Sequence, residues 1–231
     1  MAAKEAPLEK ATTEEQPLRM TYEEYRAWAS ESQRAEWVNG EVIVYMPPKP
    51  RHQLLVKFLG TLLDLFARFF RLGLVVDAPV EMRATPDGPA REPDILFLSR
   101  EHADRITEDR ISGPADLIVE VISDESVGRD RGDKFYEYEE AGVREYWIVD
   151  WRPKHQRADF YQLDADGHFK PIPIGADGIY RSALIPDFWL NVNWLWTEEL
   201  PDPMLTFAEI AGFSKEMVES LRRMREEKEQ K

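Results

Sequence analysis

The chain contains no cysteine, which excludes disulfides and thiolate metal sites and fits a reducing cytoplasm. Histidine is scarce: four scattered residues and no His-Glu-x-x-His spacing leave no zinc motif. Gly-rich phosphate loops of the Walker type and dinucleotide fingerprints are also missing. No segment is long and uncharged enough to span a bilayer. Met1 to Leu18 holds four glutamates and no apolar stretch, unlike a signal peptide. Basic residues are in deficit, with 30 Lys and Arg against 44 Asp and Glu, a net charge of -14. Phosphate-backbone binding relies on Lys and Arg releasing counterions, so the average surface should repel nucleic acid. These absences predict a soluble, cytoplasmic protein with no membrane partner.

What is present is enough apolar material for one substantial core, 43% of 231 residues. Residues 1–18 read as a disordered leader, 19–200 as one domain and 201–231 as a helical tail. Thr21-Tyr22-Glu23-Glu24 is a capping-box start for a helix ending near Ser30 to Gln33. Asn39-Gly40 between apolar-rich runs predicts a hairpin, with Glu36 on its first strand. A long helix follows Pro50, its apolar stripe running from Leu54 to Phe70 with Gly73 placed to stop it and His52 near its start. Leu74 to Val76 and Val80 to Met82 read as strands, Thr85 to Pro89 as a turn, and Ser126 to Ala141 as one helix ended by Gly142. Tyr146 to Asp150 reads as a buried strand, and Asp159 to Leu163 with Phe169 to Ile174 as an outer hairpin. Phe188, Trp189, Trp194 and Trp196 form an aromatic cluster for the core or a subunit contact.

Three residues carry the chemistry. Asp94 touches the apolar run Ile95 to Leu98, Glu120 lies within Leu117 to Ile122, and Lys134 follows in the next helix. Taken singly, Asp94 reads as a turn residue and Lys134 as a solvated helix lysine. Glu120 is harder to place inertly, because a carboxylate inside a buried strand must pair, shift its pKa or bind a cation. Together, two carboxylates and an ammonium at one edge of a sheet are the parts of a magnesium-dependent phosphodiesterase. Clusters such as Lys49, Arg51 and Lys57, or Arg129, Arg131 and Lys134, could supply a local positive groove.

Helix, hairpin, helix, strands, Pro-Asp strand, Glu strand, Lys helix and strand, in that order, resemble the PD-(D/E)XK nuclease superfamily. From about Met20 to Leu195 the chain is similar to the Uma family of restriction-endonuclease-like proteins. The stretches that carry the resemblance are Glu36 to Glu41, Pro47 to His52, Glu92-Pro93-Asp94, Asp116 to Ser123, Arg129 to Lys134 and Ala141 to Asp150. It implies an α/β (α+β) restriction-endonuclease-like fold, a central mixed β-sheet flanked by helices. It further implies Mg2+, or Mn2+, held by Asp94, Glu120 and the backbone carbonyl of Val121. Lys134 would orient the attacking water, Glu36 would stand beside the metal, and His52 matches a histidine at the head of the long helix. The superfamily lysine two residues after the glutamate is here Ile122, and the family's substitute from the following helix corresponds to Lys134. Ser123-Asp124-Glu125-Ser126 stands where the family often has Ser-Pro-Ser.

The expected function is metal-dependent hydrolysis of DNA by an endonuclease working as a homodimer. Two rivals are a non-catalytic binding or assembly protein on the same scaffold, favoured by the net charge, and a hydrolase of a small phosphorylated or glycosidic substrate.

Overall fold

A computed structural model describes residues 18–29 and 34–229. The predicted leader and Ser30 to Gln33 lie outside them, apart from Leu18 in the short strand β1 (Leu18–Arg19). Helix α1 (Tyr22–Trp28) starts with a full capping box: the Thr21 hydroxyl accepts from the Glu24 N–H and the Glu24 carboxylate from the Thr21 N–H. Strands β2 (Ala35–Val38) and β3 (Glu41–Val44) form the predicted hairpin. Asn39 and Gly40 take φ values of 50° and 90°, as a two-residue turn matching the strand twist requires.

Helix α2 (Pro50–Phe69) has proline in its first turn, where no N–H is missed. Its stripe Leu55, Leu59, Leu62, Leu63 and Phe66 is buried. Leu54, Phe69 and Phe70 are exposed, because the buried face is narrower than the run of apolar residues. Nor does Gly73 end the helix. The helix closes at Phe70, Arg71 turns into the left-handed region, and Gly73 opens β4 (Gly73–Asp77). A Cβ on Gly73 would stand 2.0 Å from the Leu98 carbonyl oxygen, so close strand approach is what needs glycine there.

The short strands β5 (Met82–Arg83) and β6 (Ala90–Arg91) flank the predicted turn, and the expected strand at Val80 to Met82 is present only from Met82. Strand β7 (Ile95–Ser99) begins one residue after Asp94, a 3-10 turn covers Arg100–Arg105, and β8 (Ile111–Ser112) precedes β9 (Leu117–Val121). The expected single helix is two, α3 (Val127–Arg131) and α4 (Asp133–Ala141). They break at Gly132, whose ψ of -96° leaves the helical region. Gly142 does close α4, in the left-handed conformation.

Strands β10 (Glu145–Asp150), β11 (Arg157–Leu163) and β12 (Phe169–Pro171) complete a six-stranded mixed sheet in the order β12-β11-β10-β9-β7-β4. Within this sheet, among the described residues, only β9 and β10 pair in parallel. A second six-stranded sheet, β1-β3-β2-β6-β5-β8, carries Glu36 and Arg91. Strands β13 (Ile179–Arg181) and β14 (Trp189–Asn191) form a hairpin, followed by α5 (Pro203–Ile210) and α6 (Lys215–Glu229).

The main sheet is buried on both faces. Ile95, Phe97, Val119, Val121, Trp147 and Val149 share one core with α2, while Leu96, Leu98, Ile118, Ile122, Tyr146 and Ile148 share another with Tyr138 of α4. Phe188 is buried in the α2-side core, and Trp189, Trp194 and Trp196 pack against it. No described helix is long and apolar enough to cross a membrane. Gly73→Ala should cost about 1–3 kcal/mol by overpacking β4 against β7, lowering the melting temperature by about 2–12 °C. Unchanged thermal denaturation would contradict that approach.

Candidate active site

Strand alternation decides where Glu120 points. Val119 and Val121 face α2, so Glu120 shares the α4 face with Ile118 and Ile122. From that side Asp130, Lys134 and Tyr138, four residues apart, all reach inward and are buried. The Lys134 ammonium donates to Glu120 Oε1 at 2.8 Å and lies 3.1 Å from Glu36 Oε1 and 3.5 Å from Asp130 Oδ1. The Tyr138 hydroxyl donates to the same Glu120 oxygen at 3.1 Å. Neither bond uses Glu120 Oε2.

Asp94 arrives by register. Strands β7 and β9 are antiparallel with Ile95 opposite Val119, and one step further sets Asp94 across from Glu120. The carboxylates therefore meet at the ends of two central strands, not along a sheet edge. Asp94 Oδ2 accepts from the Val121 N–H at 2.9 Å and lies 3.3 Å from His52 Nε2. Its Oδ1 receives Arg34 Nη2 at 3.4 Å.

Glu36 comes across from the second sheet. It accepts from Arg91 Nη1 at 2.9 Å, the Glu92 N–H at 3.1 Å and the Tyr45 hydroxyl. Arg91 also grips Glu137 with two bonds of 2.6 and 2.8 Å. Asp94, Glu120, Val121, Lys134, Glu36 and His52 thus line one cleft of about 120 Å³.

Several members of the site went unseen in the sequence. Asp130 and Tyr138 had a signal, their spacing of four from Lys134; Arg34, Tyr45 and Arg91 lie close to Glu36 or Asp94 in the chain but no spacing marked them, and only the fold turns their side chains onto those carboxylates. Three of the expected groove cations are engaged with other groups, Lys49 at the rim of the cleft itself, while Arg129 lies over the Tyr45 ring with its Nε unbonded. Lys49 pairs with Asp124 at 2.6 Å, Arg51 donates to the carbonyls of Leu195, Thr197 and Glu198, and Arg131 pairs with Asp159 at 2.6 Å.

The electrostatics are lopsided. Four carboxylates of the site are buried, Glu36, Asp94, Glu120 and Asp130, against two buried cations, Lys134 and Arg91. Burial works to raise the Glu36 carboxyl, but Lys134 and Arg91 outweigh it and hold Glu36 at about 2. Burial likewise opposes ionised Asp94, which is nevertheless held below the usual range by His52, the Val121 N–H and Arg34. Glu120 goes the other way: burial, aided by Asp130, Asp94 and Glu36, pushes it up to about 8 against the pull of Lys134. Burial tends to discharge Lys134, yet Glu120 and Glu36 keep its ammonium well above the ordinary lysine range.

This surplus of buried carboxyl groups over cations fits a divalent cation, whose charge would favour their ionised forms. The available donors are hard oxygens, and two carboxylates suffice for magnesium when water and substrate complete its shell. Among the described residues no group of three or more His, Asp or Glu side chains is placed to hold a metal ion on its own, so any ion here would depend on water, backbone or substrate oxygens.

A family model named Uma2, described as "Putative restriction endonuclease", matches residues 22–193. The chain belongs to the Uma2 family. Its fold is similar to that of a solved structure described as "a putative nuclease belonging to DUF820 from Anabaena variabilis ATCC 29413". The TM-score is 0.61 at 15% identity, with 77% of this chain and 97% of that one covered. No curated protein matches the chain. In this Uma2 chain Ile122 is fully buried in the core that includes Tyr138 of α4, and Lys134 reaches Glu120 from that helix.

A carboxyl whose folded pKa is raised loses stability as pH climbs from its unfolded value, here from 4.5 toward 8. Glu120→Gln keeps an acceptor for Lys134 and Tyr138 without the charge. It should stabilise the metal-free protein on the order of 1–2 kcal/mol at pH 8 and much less at pH 5. Melting curves at both pH values check this; a difference that does not grow with pH would contradict it.

Proposed function

We propose that the protein is a metal-dependent endonuclease that hydrolyses DNA phosphodiester bonds. The observation that supports it most is the meeting of buried Asp94 and Glu120 at adjacent strand ends, with Lys134 fixed on Glu120 in an open cleft. Asp94, Glu120 and the Val121 carbonyl would hold Mg2+ or Mn2+. When bound, the ion supplies charge that polarises the scissile phosphate and eases departure of the leaving oxygen.

The remaining work belongs to side chains. Lys134 stays charged because Glu36 and Glu120 bracket it, so it can orient the attacking water and offset negative charge growing on the phosphate. Glu36, clamped by Arg91, fixes Lys134 from behind. His52 steadies Asp94. The net charge of -14 favours a second reading, a non-catalytic binding or assembly protein on the same scaffold.

Plasmid cleavage at low salt with magnesium or manganese separates the two. Wild type should cut only with metal, and Glu120→Gln and Lys134→Met should each lose about 10²-fold or more in rate. A folded, metal-loaded wild type that leaves duplex DNA, single strands and RNA intact would favour the assembly role. A homodimer belongs to the nuclease reading, since a duplex presents two strands; light scattering that shows a monomer at every concentration would remove it.

A further inference from the structure

Unpartnered polar atoms concentrate at the cleft. Among the described residues, seven buried side-chain atoms lack a hydrogen-bond partner, and those of Arg34, His52, Glu92, Asp130 and Trp151 belong to residues lining it. Buried groups of this kind are ordinarily satisfied by protein, water or ligand; Arg34 Nε and Glu92 Oε2 face each other at 3.8 Å and Asp130 Oδ1 lies 3.5 Å from Lys134 Nζ, too long for hydrogen bonds. His52 is 5% exposed, and its Nδ1 is one of these atoms.

Arg34 is the least committed cation there. Lys134 is enclosed by three carboxylates, and Lys49 is paired at the exposed rim. Among the described residues Arg34 makes one long hydrogen bond, 3.4 Å to Asp94 Oδ1, and stands 3.8 Å from Glu92 Oε2 with its Nε unbonded. It is the sole hydrogen-bond partner of Asp94 Oδ1 among the described residues, whereas Oδ2 takes the Val121 N–H and faces His52. Its guanidinium thus occupies the one Asp94 oxygen left for a cation. At 26% side-chain exposure it has room to swing into the cleft.

We propose that Arg34 is a phosphate-binding residue, parked on Asp94 in the metal-free protein and turned to the substrate's phosphodiester when a divalent cation takes Asp94. A planar guanidinium suits phosphate oxygens, and its weak tether costs little to leave. A divalent charge on Asp94 repels Arg34 and favours the exchange. The inference rests on the nuclease reading and adds the residue that contacts the substrate anion.

Opposite shifts in two affinities test it. Magnesium binding, measured by calorimetry without DNA, should become about fivefold tighter in Arg34→Met, because a competing cation is gone. Binding of a duplex oligonucleotide, measured with Ca2+ in place of Mg2+, should weaken about tenfold regardless of sequence. The slope of log K against log salt should fall by about 1. Arg34→Lys should recover part of the DNA affinity. If wild type binds metal and DNA but Arg34→Met changes neither, or weakens both together, Arg34 is structural and the inference fails alone. If wild type binds neither metal nor DNA, the nuclease reading fails and takes this one with it.

Discussion

The contact on which the site depends is the Lys134 ammonium among Glu120, Glu36 and Asp130, all buried. A lysine is taken out of water only where carboxylates replace its hydration, and these carboxylates tolerate burial only because the ammonium is there. The exchange is incomplete, since one ammonium and the shared Arg91 face four buried acids. Tyr45 and Tyr138 donate hydroxyls to the remaining lone pairs, which limits the desolvation cost without neutralising the charge. An unbalanced buried cluster is poor design for stability and good design for capturing a cation.

Holding this cluster in place takes both sheets. The main sheet, covered on each face, supplies Asp94 and Glu120 from the interior strands β7 and β9, whose hydrogen-bonded register leaves little freedom. The second sheet supplies Glu36 and its clamp Arg91 from paired strands. Helix α4 closes the cluster from above, its Tyr138 anchored in the core beside Tyr146. Lys134 thereby ties a helix to two sheets, so its loss would reach beyond chemistry.

The acidic net charge and the proposed anionic substrate pull in opposite directions. Much of the basic complement is consumed in internal pairs, with Arg131 on Asp159, Arg152 on Asp150 and Arg91 on Glu36 and Glu137. Arg34, held by one long hydrogen bond among the described residues, stands at the cleft itself. Local placement of charge, not its sum, governs what the cleft can attract.

Local signals in the sequence were sufficient for the capping box at Thr21, the Asn39-Gly40 turn, the left-handed stop at Gly142 and the strand around Glu120, because each depends on neighbours in the chain. The order of motifs also placed Asp94, Glu120 and Lys134 in one family pattern. Sequence did not reveal the break at Gly132, the exposure of Leu54 and Phe70, or the role of Gly73, all of which depend on what packs opposite. Arg34, Tyr45 and Arg91 entered the site only through tertiary structure. A single chain displays its own periodicity and caps, but the partner of a buried charge is chosen by strand register and sheet packing, and those exist only once distant segments meet.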